Sequence, residues 1–157
     1  MLMNGYFRDP EATAKTLVGE WFHSSDLGLQ DDEGYFSIVG RAGDVIRTGG
    51  ESVAPVEVDL VLHSAPGVAD AAVAATPDEN WGEVICAFVV PRPGETIDLS
   101  SLRQHCEGRL TTFKHPRRLM QVESLPRTGA TRQIQRRLLV EWATRGATSA
   151  SKPESQP

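Results

Sequence analysis

Val68-Ala69-Asp70-Ala71-Ala72-Val73-Ala74-Ala75 and Val84-Ile85-Cys86-Ala87-Phe88-Val89-Val90 are two short apolar runs, joined by a polar connection that contains Asn80-Trp81-Gly82-Glu83. Runs of this kind, bounded by turn formers, read as buried strands. Upstream, Pro66-Gly67 ends a helix that Pro55 opens and that reaches about His63, with Val56, Leu60 and Val61 on one face. Before it, Val45-Ile46-Arg47 reads as a strand and Thr48-Gly49-Gly50-Glu51 as a glycine loop. Downstream, Asp98 is placed to cap a helix through Arg109 that carries Leu99, Leu102, Cys106 and Leu110. Arg117 to Val122 reads as a strand and Ser124 to Gln133 as a loop. Ile134 to Arg145 reads as a last helix on which Ile134, Leu138 and Trp142 recur every fourth residue. Strands alternate with helices, so the body from about Arg41 is α+β or α/β.

The first forty residues read differently. Asp9-Pro10-Glu11-Ala12-Thr13 supplies a helix cap and a proline at the first helical position. Trp21-Phe22-His23 and Tyr35-Phe36-Ser37-Ile38-Val39 read as strands on either side of the polar turn Gln30-Asp31-Asp32-Glu33-Gly34, which predicts a hairpin between them. At the other end, the small polar residues GATSASKPESQP are expected to be disordered.

Among the 157 residues 39% are hydrophobic and 24% charged, as in ordinary soluble globular proteins. The net charge of −5 argues against a nucleic-acid binder, although Arg and Lys concentrate between Arg103 and Arg145. Cys86 and Cys106 are too few and too far apart for a metal cluster or a disulfide framework. Cys86, inside its apolar run, reads as a small buried hydrophobe. No metal site is predicted. No apolar stretch approaches the ~20 residues of a membrane span, the N-terminus lacks a signal-peptide pattern, and a cytoplasmic protein is expected. No phosphate-binding G-x-x-x-x-G-K-[ST] motif occurs.

Four further segments carry chemistry. They are Gly5-Tyr6-Phe7 with Pro10-Glu11-Ala12-Thr13 and Trp21 to Gly28; Gly40-Arg41-Ala42-Gly43-Asp44 through Gly49-Gly50-Glu51; Asn80-Trp81-Gly82-Glu83 with Phe113-Lys114-His115-Pro116-Arg117-Arg118; and Leu125 to Arg137. Their order and spacing resemble the C-terminal lid of the AMP-forming acyl-CoA synthetase (adenylate-forming) superfamily, and the likeness covers about Asn4 to Trp142. The resemblance implies that Asp26 receives the two ribose hydroxyls of ATP, which suits a carboxylate with two acceptor oxygens. Arg41 would reach ribose or phosphates, and Gly43 would be the hinge. Gly49 and Gly50 would wall the pantetheine channel. Trp81 and Phe113 would flank the adenine of CoA, with Lys114, His115, Arg117 and Arg118 meeting its phosphates. For each there is a plainer reading: a turn cap for Asp26, a surface ion pair of Arg41 with Asp44, a tight turn for the glycines, core packing for Trp81 and Phe113.

The sequence departs from the family most sharply in the closing segment, which is similar to "LPRTxxGKIxRR". Counted back from Ile134, the catalytic lysine position holds Gln133. Counted forward from Leu125, the loop is one residue longer, and Arg132 falls near that position instead. Both registers stand open. Ser24-Ser25 replaces the family's Thr-Gly, and Gly43 replaces a polar hinge residue.

The resemblance implies an α+β fold, a small mixed sheet with flanking helices, preceded by a short β-hairpin segment belonging to a larger domain. Residues 1–40 would be the tail end of the large AMP-binding domain, 41–145 the lid and 146–157 a disordered tail. The large domain, in cis or in trans, would be the partner. The intact enzyme would use a carboxylic acid (fatty or aromatic), ATP with magnesium, and CoA as substrates, none held tightly. This chain alone is not expected to turn over. The alternatives are a non-catalytic stand-alone module that binds CoA or a protein, and a truncated remnant.

Overall fold

The computed structural model describes residues 3–150, with side chains described through residue 145. The chain forms two compact units, one ending at Gly43 and the other beginning at Asp44.

In the first unit, helix α1 (Pro10–Thr16) starts where expected. Asp9 accepts the Ala12 N–H at 2.9 Å. The strands pair differently from the expected hairpin. Strand β1 (Leu17–Val18) pairs with β2 (Trp21–Phe22), and β3 (Asp26–Gln30) pairs with β4 (Phe36–Arg41). Two local turns explain this. Gly19, at φ 60°, lets the chain fold straight back from Val18 to Trp21. The Asp31 carboxylate accepts the N–H groups of Glu33 and Tyr35 at 3.0 and 2.8 Å, turning Gln30 back onto Phe36. The polar turn is therefore a hairpin turn, but its incoming arm is Asp26–Gln30. The composition of that arm hides the strand, because Asp and Gly are poor strand formers.

The second unit is built on one mixed sheet. Strands β5 (Ile46–Thr48) and β6 (Glu51–Val53) form a hairpin whose two turn residues, Gly49 and Gly50, have φ of 59° and 87°. Helix α2 (Pro55–His63) leads to β7 (Val68–Asp78) and β8 (Gly82–Pro91), a long antiparallel pair. Helix α3 (Leu99–Cys106) follows, capped by Asp98, which accepts the Ser101 N–H at 2.9 Å. Strand β9 (Arg118–Gln121) runs parallel to β8, and helix α4 (Arg136–Ala150) ends the described chain. Strand β8 is central: β7 lies on one side, and β9 and the last residue of β5, Thr48 opposite Gly82, share the other.

Alternation along β7 and β8 sorts the core into two clusters. Val73, Ile85, Ala87 and Val89 face Val58 and Leu62 of α2 and Leu102 and Cys106 of α3. Ala72, Ala74, Cys86 and Phe88 face Leu139 and Ala143 of α4. Both faces are covered, so these strands read as continuous apolar runs rather than alternating ones. Phe88 lies opposite Ala72 in the ladder, a large side chain beside a small one.

Two helix faces differ from the spacing-based expectation. On α2 the buried pair is Val58 and Leu62, while Leu60 is 67% exposed. On α4 the buried pair is Leu139 and Ala143, with Trp142 at the margin; Ile134, the expected first residue, packs there from outside the helix, which starts at Arg136. In apolar-rich helices several i, i+4 stripes compete, and the sheet selects one. The expected disordered tail overlaps the last turn of α4, and from residue 151 it lies outside the described residues. Among the described residues, no helix is long and apolar enough to cross a membrane. Nor does any group of three or more His, Cys, Asp or Glu residues there form a metal-holding cluster. Burial pushes the Cys86 thiol up to about 12 and raises that of Cys106, so both stay neutral.

Candidate functional site

The loop between Leu125 and α4 carries Arg132 and Gln133, the two candidates from the closing segment. Arg132 sits at φ 56°, and both Arg132 and Gln133 are exposed. Thr128 organises the turn: its N–H donates to the Gln133 carbonyl at 2.9 Å, and its carbonyl accepts the Arg132 N–H at 3.1 Å. Its hydroxyl oxygen accepts the Gln133 N–H at 3.0 Å.

Two arginines bracket this turn. One guanidinium nitrogen of Arg127 reaches both oxygens of Asp70 on β7 at 3.0 and 2.8 Å, and another donates to the Arg132 carbonyl at 3.0 Å. At the far end, Arg136 reaches Asp59 on α2 at 2.5 Å and donates to the Val73 carbonyl at 2.6 Å, while Asp59 accepts the Val73 N–H at 2.7 Å. Val73 lies on β7, so its outward backbone groups are closed by side chains instead of a further strand. Burial pushes the Asp59 carboxyl above its usual value, against the pull of Arg136 and the Val73 amide.

A second cluster surrounds Trp81, at the tip of the β7–β8 hairpin. The Trp81 carbonyl accepts the Gly49 N–H at 3.0 Å, and Glu83 accepts the Arg47 N–H at 2.7 Å. A Cβ on Gly49 would stand 2.6 Å from the indole, so only glycine fits. The Arg117 guanidinium stacks over the indole at 3.9 Å, and Trp81 remains 40% exposed. Phe113 packs against the core edge. Lys114 binds both oxygens of Glu57 at 2.6 and 2.7 Å, and its ammonium lies 5.8 Å from the Phe113 ring. His115 is buried, with Nε2 3.1 Å from the Leu110 carbonyl. Arg118 is tied to Asp78, Thr76 and the Pro77 carbonyl.

In the first unit, Asp26 and Arg41 are ladder partners and form an ion pair at 2.9 Å. Arg41 also donates to the Ser24 carbonyl at 3.0 Å. Asp44, the partner considered for Arg41 from sequence, instead lies 3.6 Å from Arg136. Gly43 ends the first unit within a 3-10 turn, and a side chain there would meet nothing within 4 Å.

Residues 57–132 match the AMP-binding enzyme C-terminal domain. The chain is 39% identical over 150 residues to a probable CoA ligase of Humulus lupulus, covering 96% of this chain and 28% of the relative. It is 41% identical to the indoleacetate–CoA ligase of Aromatoleum aromaticum, covering 81% of this chain and 25% of the relative. It superposes on ATP-bound MatB from Rhodopseudomonas palustris with a TM-score of 0.80 at 36% identity, over 88% of this chain and 28% of that one. This chain belongs to the AMP-forming acyl-CoA synthetase superfamily. It spans about a quarter of the length of the curated relatives it matches.

Within this synthetase domain, the fold brings Gly49, Trp81 and Arg117 together, and Asp26 with Arg41. It sets Arg132 and Gln133 on one exposed turn. Lys114 and His115 are both engaged by protein groups. Sequence reasoning missed Glu57, Asp59 and Asp70 as the partners of Lys114, Arg136 and Arg127. Each stands 57 or 77 residues from its arginine or lysine. The one available signal was a lone acid inside an apolar stretch, as in Val58-Asp59-Leu60 and Ala69-Asp70-Ala71.

Proposed function

We propose that this chain is the C-terminal lid of an acyl- or aryl-acid CoA ligase, which activates a carboxylic acid with ATP to an acyl-adenylate and transfers the acyl group to CoA. The supporting observation is the Trp81 platform. An indole fixed by Gly49 and stacked by a guanidinium offers an aromatic surface beside positive charge, which suits a purine that carries phosphates. Phe113, Lys114 and His115 would border that site, with Lys114 exchanging Glu57 for phosphate. Asp26, oriented by Arg41, would meet the ribose of ATP, and Gly43 would be the hinge. Arg132 or Gln133 would approach the reacting carboxylate and phosphate. ATP would enter with magnesium.

The first unit supports a large-domain partner. No residue from 3 to 43 is buried, and Phe7, Trp21, Tyr35, Phe36 and Ile38 are 68% exposed or more. Apolar surface of that extent is the mark of an interface. The division of the chain into a large-domain tail and a lid is part of this proposal.

The test supplies the large AMP-binding domain in trans, from the indoleacetate–CoA ligase stripped of its own C-terminal domain, with ATP, magnesium, CoA and indoleacetate. Thioester should form only in the mixture. Trp81→Ala should slow thioester formation from preformed adenylate by about 10-fold, from the loss of one stacking contact, while leaving pyrophosphate release unchanged. Pyrophosphate release by this chain alone would overturn the proposal. CoA binding without thioester in the mixture would favour the stand-alone binding module instead.

A further inference from the structure

We infer that Asp70 and Arg127 are positioning residues that preset the turn carrying Arg132 and Gln133. Neither touches a reacting group. Arg127 links two things at once: both oxygens of Asp70 on the edge of the sheet, and the carbonyl of Arg132. The hydrogen bonds of the turn itself converge on Thr128, the neighbour of Arg127 in the chain. The Arg127 carbonyl in turn accepts the Gln135 side-chain amide at 2.9 Å, and Arg127 bridges Ile134 in a short antiparallel pairing. The far end is fixed independently by Arg136 and Asp59. Free movement is thereby confined to the residues between two arginine anchors.

The charges matter because both groups are partly withdrawn from water. The side chains of Arg127 and Asp70 retain 30% and 27% of their exposure. His63 adds a third member, its Nε2 3.2 Å from Asp70. A charge-assisted bond in such a setting is stronger than one between neutral groups. The left-handed backbone of Arg132 is a conformation a non-glycine residue adopts only when its surroundings hold it. The guanidinium bond to the Arg132 carbonyl is placed to do so. The role of the preset turn in adenylation rests on the function proposed above; the anchoring of the turn does not.

The experiment is amide hydrogen exchange on the full chain, reading Thr128, Arg132 and Gln133 against core amides of β8. In the native chain all three should be protected. Asp70→Asn and Arg127→Gln should each speed their exchange by about 10-fold, the scale of one charge-assisted bond, with β8 unchanged. The double variant should match Arg127→Gln alone, because without the guanidinium Asp70 has no link to the turn. Unprotected turn amides in the native chain, unchanged rates in the variants, or uniform acceleration including β8 would each overturn the inference. In the two-domain mixture, Asp70→Asn should lower the rate of adenylate formation and spare thioester formation from preformed adenylate. An equal loss in both steps would also count against a positioning role. If the native mixture makes no adenylate, the functional proposal fails and hydrogen exchange alone decides the anchoring.

Discussion

Between residues 3 and 43 every side chain is at least partly exposed, whereas the unit beginning at Asp44 holds Phe88, Ile46, Leu62, Ile85, Leu102 and Leu139 below 2% exposure. The difference does not arise from composition, since Phe7, Phe22, Phe36 and Ile38 are as apolar as anything in the second unit. It arises from layering. The first unit has two separate two-stranded pairs, and such hairpins are marginal alone in water. The second has a sheet with helices on both faces, which gives every apolar side chain of β8 somewhere to go. Secondary structure can thus form locally from turns and caps, but stability needs a second layer.

The sharpest way to break this comparison is a pair of truncations of similar size. Phe88→Ala opens a cavity between β8 and α4 and should cost about 3–5 kcal/mol. Phe36→Ala removes a ring that is 74% exposed and should change stability by no more than about 0.5 kcal/mol. Urea unfolding followed by circular dichroism measures both. A comparable loss from Phe36→Ala would mean that the first unit has a core of its own.

A functional contrast follows from the same division. The Asp26–Arg41 pair lies in one unit and the Arg132–Gln133 turn in the other, so each unit carries part of the proposed nucleotide chemistry. Restoring charge with Gln133→Lys, in the two-domain mixture, should raise adenylation about 100-fold, the scale of one electrostatic contact to developing negative charge. Thioester formation from preformed adenylate should barely change. Equal gains in both steps would place Gln133 outside the lysine's role and turn attention to Arg132.

How far the sequence could be read follows the same line. Local features were legible: the caps at Asp9 and Asp98, the glycine turn at Gly49-Gly50, the buried strands around Cys86. Each depends on neighbours within a few residues. The faces of α2 and α4 were not, because Val56, Leu60 and Leu138 fit helical stripes as well as Val58, Leu62 and Leu139 do. The sheet chooses between them. The exchanged strand partners of the first unit were hidden because Asp26-Leu27-Gly28-Leu29-Gln30 lacks strand-forming residues, and Asp31 imposes the pairing through its carboxylate. In the candidate site, the family motifs marked Trp81, Arg132 and Gln133. The acids that anchor the Arg132–Gln133 turn, Asp70 and Asp59, lie too far along the chain for spacing to reveal. The resemblance implies a phosphate contact for Arg117, whereas its stacking on Trp81 is visible only in the fold.

The smallest predicted effect concerns Asp98, at the start of α3 and at the surface of the well-packed unit. Its carboxyl is held below the usual aspartate value chiefly by the Ser101 N–H, then by the Ser100 hydroxyl. A carboxylate whose folded value is lowered stabilises the fold above the unfolded value, and that contribution disappears as pH falls through the folded one. Asp98→Asn keeps a capping side chain but never carries the charge. The native chain should therefore melt slightly above the variant at neutral pH. The gap should close as pH falls below about 3.9, the ordinary aspartate value. Thermal melts of the two proteins across that range provide the measurement. A gap that persists in acid would assign the effect to hydrogen-bond geometry alone, and a gap that widens would reverse the sign of the linkage. Because the site is exposed, salt should narrow the gap at neutral pH as well, which separates this surface term from the salt-insensitive loss expected at Phe88.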